Sequence, residues 1–222
     1  MATIDKISSE LEKHRDKYFA DGLKYFGIEN RNSYGVKVPE LRKIARKYQN
    51  DHYLALELWN SEIHEMKILA TIIDNPKLVT FEQSDKWTSE LYSWDLCDHL
   101  SINLLAKTEF TDELIKRYIA DEREFVRRTS FAIISSKATK DKKLKREKLL
   151  KYVELIRLNC DDERNYVKKG ANWALKSIGK RNNEFADLVI MACKNLIESN
   201  RPNLKWIGRK TLNELNKYYG IK

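Results

Sequence analysis

The sequence has few of the residues that build tight turns, with only 7 glycines and 3 prolines among 222 residues. Hairpin turns and phosphate-binding loops both depend on glycine, so a multi-hairpin β-sandwich and a dinucleotide-binding α/β fold are disfavoured. Charged residues make up 34% of the chain, and apolar residues make up 42%, which is sufficient for a core. These proportions predict a soluble, mostly helical protein rather than a disordered one.

Cysteines and long apolar runs are scarce as well. Cys97, Cys160 and Cys193 are far apart in sequence and form no Cys-x-x-Cys pair or Cys/His cluster, so we expect neither a disulfide framework nor a metal site. No stretch approaches the roughly 18 apolar residues of a membrane span, and the N-terminal segment is amphipathic rather than signal-like. We therefore expect a cytoplasmic protein, associated with the nucleoid if it is bacterial or archaeal, that has no membrane partner and needs no cofactor.

Basic charge is unevenly distributed along the chain. The formal net charge is +9, yet residues 51–100 carry 3 basic and 10 acidic side chains, whereas residues 101–222 carry 28 basic and 16 acidic ones. A basic half of this size is typical of a protein that binds a polyanion, most often nucleic acid. Lysine-rich helices that simply remain solvated produce the same excess, so charge alone leaves both interpretations open.

Apolar residues recur at helical spacing along nearly the whole chain. Ile63, Met66, Ala70 and Ile73 form one such stripe, and similar stripes precede and follow it. Alternating patterns typical of strands do not persist anywhere. The spacing predicts about a dozen helices joined by short connections, without a sheet.

A self-comparison of the sequence finds a repeat. Residues 121–128 match residues 162–169 at an offset of 41, and a shorter form of the pattern returns at 206–209, a further 40 residues on. A period near 40 with two helices per unit is typical of HEAT-like repeats, which stack into a solenoid. The sequence thus predicts one domain, 1–222, that forms an all-α superhelical solenoid of about six antiparallel helix pairs with a concave basic surface. An ordinary helical bundle is the alternative.

The repeated element consists of an aromatic, an aliphatic and two basic residues. Arg128, Lys169 and Arg209 occupy the same position in three successive units, and Arg127 and Lys168 precede the first two. Equivalent positions in a solenoid form a row, and a regular row of cations suits a phosphate backbone. The alternative explanation is that each cation only solvates its own helix.

The segment SWDLCDH places a tryptophan and two carboxylates within five residues. Trp94 and Asp98 are four residues apart and share a helix face. Asp95 is well placed to cap the helix N-terminus, whereas Asp98 lies a turn further in and is the better candidate for chemistry. His99 points about 100° around the helix from Asp98, and we expect it to be structural.

Three motifs give the chain a resemblance to the AlkD-like DNA alkylation-repair glycosylases, a HEAT-repeat family. They are Ser-Trp-Asp-x-x-Asp at 93–98, Phe-Val-Arg-Arg at 125–128 and Lys-Lys-Gly-Ala-Asn-Trp-Ala-Leu-Lys at 168–176. A softer match is Tyr-Gly-Val-Lys-Val-Pro-Glu-Leu-Arg at 34–42. The resemblance spans most of the chain and implies a monofunctional glycosylase that removes alkylated purines from double-stranded DNA in base excision repair. A basic solenoid with such a partner has no need to dimerise, so we expect a monomer.

The resemblance also assigns roles to individual residues. It makes Asp98 the catalytic carboxylate. Trp94 and Trp173 match the aromatic pair that embraces the damaged nucleotide, and Arg128 matches the arginine that contacts a phosphate. The tyrosine of the first repeat falls on Tyr25.

The sequence departs from the family pattern at two places. A difference of one residue in length leaves Phe26 as an alternative to Tyr25. Ser93 stands where the family commonly has a second tryptophan, a change that concerns substrate range more than chemistry.

The chemistry of these residues agrees with the resemblance. A purine alkylated at N3 or N7 is cationic and leaves as a neutral base, so one carboxylate that stabilises an oxocarbenium-like state suffices. Two other functions stay open. One is a non-catalytic HEAT-like protein that senses damaged or branched DNA, and the other is a HEAT scaffold for an acidic protein partner. Base release from methylated DNA and salt-sensitive DNA binding distinguish the three.

Overall fold

The computed structural model describes residues 3–28 and 32–220, and this part of the chain contains α-helices, three short 3₁₀ segments and no strand. The 3₁₀ segments are Leu23–Phe26, Arg46–Tyr48 and Leu105–Lys107. The helices are α1 (Thr3–Lys13), α2 (Lys17–Gly22), α3 (Val38–Ala45), α4 (His52–Trp59), α5 (His64–Ile73), α6 (Phe81–Ser89), α7 (Trp94–Asn103), α8 (Thr111–Tyr118), α9 (Glu124–Lys140), α10 (Arg146–Asn159), α11 (Asn165–Gly179), α12 (Asn183–Glu198) and α13 (Pro202–Tyr219). The all-α class and the number of helices agree with the sequence prediction.

The chain divides into two compact units, residues 1–110 and 111–222. A continuous array of repeats also divides in this way, because each repeat contacts only its neighbours. A single repeat domain over 1–222 therefore stays a prediction. The first unit contains α1 to α7, and the second contains α8 to α13.

The predicted period is confirmed in the second unit. Hydrogen bonds between its long helices join residues that are 38 to 43 positions apart: Arg128 to Tyr166, Ser135 to Ser177, Thr211 to Asn172 and Arg181 to Ala138. Helices α9 to α13 are 14 to 18 residues long, so each helix pair with its connections fills about 40 residues.

The first unit has shorter helices. They are 6 to 11 residues long, and hydrogen bonds across the unit join residues at separations that include 22 positions (His52 to Asp74), 31 (Trp59 to Glu90) and 37 (Lys47 to Glu10). The core includes the indoles of Trp59 and Trp87, stacked with ring centroids 4.2 Å apart. Pro39 lies in the first turn of α3, where its fixed φ suits a helix start.

The three cysteines are buried and unlinked, one in the first unit and two in the second. Burial raises the pKa of the Cys160 thiol and of the Cys193 thiol to about 12, so both stay protonated and behave as small apolar residues. Among the described residues, no group of three or more potential ligands could hold a metal ion. None of the described helices combines the length and the apolar character needed to cross a membrane.

Candidate functional site

A cavity of about 470 Å³ opens in the first unit between α2, the segment before α3, α5 and α7. Most of its wall is aliphatic or aromatic, including the rings of Phe19, Phe26 and Trp94. This volume falls in the range typical of sites for small organic groups. The polar residues of the wall are Lys37, His64, Glu65, Asp95, Asp98 and His99.

Trp94 and Asp98 line this cavity together, as their shared helix face predicts. Helix α7 begins at Trp94, so both side chains lie in its first two turns, and both are half-buried. The indole Nε1 of Trp94 donates a hydrogen bond of 2.9 Å to the carbonyl of Phe26. This bond ties the start of α7 to the 3₁₀ segment that follows α2.

The two aromatic alternatives of the first repeat lie side by side. Phe26 lines both the cavity beside Trp94 and a neighbouring cleft, whereas Tyr25 is 82% exposed and lines that cleft. Which of the two contacts DNA stays a prediction. Ser93, which stands where the resembled family commonly has a second tryptophan, is fully buried at the N-cap of α7. A tryptophan at position 93 could expose its indole only if α7 began at a different residue or in a different direction.

Asp95 does not have the role expected for it. The N-cap position belongs to Ser93, and Asp95 Oδ2 lies 2.7 Å from Nε2 of the buried His64. Burial raises the pKa of the Asp95 carboxyl, but the hydrogen bond and the charge of His64 outweigh burial and leave the pKa below its usual value. Nδ1 of His64 lies 2.8 Å from the Tyr92 hydroxyl. Burial raises the pKa of this hydroxyl above its usual value. The prediction that Asp95 caps the helix is therefore wrong, because a partner on α5 engages its carboxylate.

His99 also faces the cavity and is neutral. Burial lowers its pKa to about 4, and the nearby Arg42 guanidinium acts in the same direction. The Asn103 amide nitrogen lies 3.3 Å from Nδ1 of His99 and donates a second bond to Thr71. Because an amide NH₂ only donates, Nδ1 accepts this bond and the ring proton lies on Nε2.

Glu65 fixes the opposite wall of the cavity. The side chain is 2% exposed, and its carboxylate accepts hydrogen bonds from the Ser33 hydroxyl (2.6 Å) and from the backbone N–H groups of Tyr34 (3.1 Å), Gly35 (2.7 Å) and Val36 (3.1 Å). Buried N–H groups without partners are costly, so this carboxylate holds the segment before α3 in place. Sequence analysis missed both His64 and Glu65. Their only signal is a polar pair within the apolar stripe that begins at Ile63.

The two arginines of the repeated element in α9 are engaged within the second unit. Arg128 is 6% exposed, and its Nη1 donates a 2.7 Å hydrogen bond to the carbonyl of Tyr166. Arg127 forms an ion pair of 3.2 Å with Asp162. The expected surface row of cations is therefore interrupted at Arg128, because its guanidinium satisfies a backbone carbonyl of the next repeat. The phosphate contact of Arg128 stays a prediction.

The other predicted residues of the second unit lie nearer the solvent. Lys169 and Arg209 are exposed, and Lys168 and Trp173 are half-buried. The Lys169 ammonium lies 5.9 Å from the centroid of the Tyr166 ring. Trp173 lies one turn after Lys169 on α11, as predicted. Their contacts with DNA stay predictions.

Comparisons with known proteins identify relatives and a shared fold. The chain is 26% identical over 139 residues to an uncharacterised protein of Listeria innocua, Lin0241. This match covers 61% of the present chain and 62% of Lin0241. It is 30% identical over 90 residues to an uncharacterised protein of Listeria monocytogenes, Lmo0209. This match covers 39% of the present chain and 40% of Lmo0209. The matched segments thus span less than two thirds of either relative.

A solved structure superimposes with a TM-score of 0.77 at 17% identity, covering 95% of this chain and 94% of the other. It represents a family described as related to the HEAT-like repeat DNA glycosylases and as having affinity for branched DNA structures. This similarity confirms the HEAT-like all-α fold. Residues 7–205 match the family described as DNA alkylation repair enzyme, and because this match covers most of the chain, the protein belongs to that family.

Proposed function

We propose that this chain is a monofunctional DNA glycosylase that hydrolyses the N-glycosidic bond of alkylated, cationic purines in double-stranded DNA. The observation that carries the proposal is the cavity of the first unit, where Asp98 shares a wall with Trp94 and Phe26. A carboxylate and aromatic faces are the groups that stabilise a cation. Membership of the DNA alkylation repair family supports the same class of substrate.

Three carboxylates line the cavity, and Glu65 and Asp95 hold its walls. Glu65 accepts four hydrogen bonds from residues 33–36, and Asp95 is paired with His64. Asp98 lies one turn beyond Asp95 on α7, on the wall that includes Trp94. Because Asp98 shares a helix face with Trp94 on this wall and matches the catalytic carboxylate of the resembled family, we assign the substrate carboxylate to Asp98. We assign Glu65 and Asp95 to positioning the walls of the cavity.

Hydrolysis at such a site needs little more than a placed negative charge. The C1′–N bond breaks, its electron pair passes to the cationic purine, and the base leaves neutral, so a general acid is not required. Positive charge grows on the sugar, where Asp98 stabilises it and accepts a hydrogen bond from the water that attacks C1′. The proton of that water passes through the carboxylate to solvent.

The neutral state of His99 suits a cationic base. With a pKa of about 4, the imidazole carries no charge at neutral pH, so it does not repel an alkylated purine. The cavity keeps the negative charges of its carboxylates close to the substrate. A protonated imidazole next to Asp98 would cancel part of that field.

A second function, DNA binding without base release, is favoured by the described affinity of the similar solved protein for branched DNA. A protein of that kind would use the cations of the second unit, such as Lys169 and Arg209, and would not need Asp98. The two functions predict different outcomes for one substitution.

The test is single-turnover release of N7-methylguanine from a duplex by the wild-type protein and by Asp98→Asn, with DNA binding measured in parallel. Asparagine keeps the shape of the side chain but removes its charge, so we expect base release to fall roughly 10²- to 10³-fold while binding is retained. Asp187→Asn, at an exposed position on α12, is the matched control and should behave as wild type. Borohydride should trap no protein–DNA adduct, because the proposed reaction does not use the amine of Lys37, the lysine on the cavity wall.

Each outcome separates the candidates. Equal base release by the wild type and Asp98→Asn removes Asp98 from the mechanism. DNA binding with no base release by the wild type establishes the second function instead. A borohydride-trapped adduct that disappears in Lys37→Ala replaces hydrolysis by amine attack.

A further inference from the structure

The second unit contains a cleft that the proposed chemistry does not use. It has a volume of about 450 Å³ and lies along α13. Its wall includes three cations and one indole but no carboxylate. The lining residues are Pro202, Lys205, Trp206, Arg209, Lys210 and Asn213.

Close packing of α13 against α12 presents these side chains. A Cβ atom at Gly208 would lie 2.7 Å from the carbonyl of Cys193, so only glycine allows the two helices to approach this closely. Ile207, Gly208, Thr211 and Leu215 are buried on that face. The rotation of α13 is thereby fixed, and residues 205, 206 and 209 point away from the buried face.

Trp206 is unusual among the five tryptophans. It is 37% exposed, whereas Trp59 and Trp87 are almost fully buried and Trp94 and Trp173 are half-buried. The Lys168 ammonium lies 5.8 Å from the centroid of the Trp206 ring. The indole is thus open to the cleft and lies among cations.

The cations of the cleft differ in how far the protein neutralises them. Lys210 lies 3.5 Å from Glu214. Lys205 and Arg209 have no carboxylate at ion-pair distance within residues 3–28 and 32–220. They lie four residues apart on one stripe of α13 and line the cleft together with Trp206, so two positive charges lie beside one exposed aromatic ring. The surrounding unit carries 27 basic and 15 acidic residues, which adds a long-range attraction for an anion.

We propose that this cleft binds an unpaired nucleotide of DNA, whose base stacks on Trp206 while Lys205 and Arg209 bind the flanking phosphates. A paired duplex offers phosphates but keeps its base faces covered, so only an unpaired base gains from an exposed indole. The combination of cations and an aromatic plane therefore favours single-stranded over paired DNA. This function is independent of base release and of the cavity in the first unit.

The test is a fluorescence-anisotropy titration of the full-length protein with a labelled 12-nucleotide oligothymidylate and with a blunt 12-base-pair duplex. Stacking on one aromatic side chain is worth about 1–3 kcal/mol per base, so Trp206→Ala should weaken oligothymidylate binding roughly 5-fold or more and duplex binding less than 2-fold. Trp206→Phe, which keeps an aromatic plane, should retain most of the affinity. Tyr218→Ala is the matched control. Tyr218 is an exposed aromatic residue on the same helix, and the Lys180 ammonium lies 4.4 Å from the centroid of its ring. Tyr218 is not among the residues that line the cleft.

Three results would overturn the proposal. The first is an oligothymidylate affinity that Trp206→Ala leaves unchanged. The second is an equal loss for the oligonucleotide and the duplex, and the third is equal competition by polyglutamate of the same charge, which would indicate a general polyanion surface. Circular dichroism of each variant checks folding, and Trp206→Gln, which removes the aromatic plane but keeps a long side chain, carries the test if the alanine variant does not fold. Base release from an N7-methylguanine duplex, measured on the same samples, shows separately whether the glycosylase proposal holds.

Discussion

The two units differ in charge, in helix length and in where they place their polar groups. Residues 1–110 carry 15 basic and 18 acidic side chains, and residues 111–222 carry 27 and 15. The first unit gathers carboxylates around a cavity, whereas the second presents cations along α11 and α13. Under the proposed function, bond cleavage would depend chiefly on the first unit and affinity for DNA chiefly on the cations of the second, so substitutions of exposed cations in the second unit should spare the chemistry at Asp98.

Two glycines, one in each unit, differ in how tightly their surroundings constrain them. In the first unit, the segment before α3 depends on Gly35, whose φ of +73° favours glycine and whose added Cβ would lie 2.0 Å from the carbonyl of Asp16. In the second unit, a Cβ at Gly170 would make ordinary contact with Phe131 at 3.4 Å. Matched glycine substitutions therefore test the comparison directly.

The largest expected effect is that of Gly35→Ala. Left-handed strain and a backbone clash together should cost about 4 kcal/mol, and hydrogen exchange should localise the loss to residues 1–110. Gly170→Ala should change stability by less than about 1 kcal/mol, in the favourable direction, because alanine suits a helix interior. Equal losses from the two substitutions would contradict the comparison.

A second expected difference is the response of the units to pH. All four histidines, His14, His52, His64 and His99, lie in the first unit. The pKa of His99 is about 4 in the folded protein and 6.5 ordinarily, so between these values the unfolded chain binds a proton that the folded chain does not. Stability should fall by about 3 kcal/mol as pH drops from 6.5 to 4.

Urea unfolding at pH 7 and pH 4.5, followed by hydrogen exchange, measures this effect. The loss should be confined to residues 1–110, and His99→Gln should remove most of it. The contribution of Asp95, whose pKa is lowered, is present above its ordinary value of 3.8 and disappears only at more acidic pH. A pH-dependent loss that persists in His99→Gln would assign the effect to another group.

A smaller effect separates two cations of the second unit. Arg128→Ala removes a buried hydrogen bond to the Tyr166 carbonyl and the packing of the side-chain stem, which should cost about 2 kcal/mol. Lys169→Ala, at an exposed position, should leave the urea midpoint unchanged. The midpoints of the two variants, measured side by side, check this, and a stable Arg128→Ala would show that the buried guanidinium is dispensable for the fold.

The smallest expected effect concerns the salt dependence of DNA binding. If Lys169 neutralises one phosphate, Lys169→Ala should lower the magnitude of the log K against log salt slope by about 0.9. Asp98→Asn in the first unit should leave that slope nearly unchanged. An identical slope in wild type and Lys169→Ala would show that this position does not contact the DNA backbone.

Much of the architecture could be predicted because it depends on local pattern. Apolar spacing of 3 and 4 residues predicts helices, and the recurrence of one motif at offsets of 41 and 40 predicts the repeat of the second unit. The first unit has no comparable internal motif, and its hydrogen bonds join residues at varied separations, such as 22 and 31 positions. Its sequence therefore predicts no period.

The candidate site could be predicted only as far as a single helix determines it. Trp94 and Asp98 share a face because a helix turns 100° per residue, and both line the cavity. The partner of Asp95 lies on α5, 31 residues earlier, and the carbonyl that engages Arg128 lies 38 residues later. Neither separation leaves a local signal.

The sequence by itself determined the helices, the basic excess of residues 111–222 and the face shared by Trp94 and Asp98, because each depends on composition or on neighbours within two turns. Only the tertiary structure decided that His64 pairs with Asp95 and that Glu65 accepts hydrogen bonds from residues 33–36. It also decided the low pKa of His99 and the burial of Arg128. Burial and hydrogen bonding depend on which helices pack together, and packing joins residues that the sequence keeps far apart.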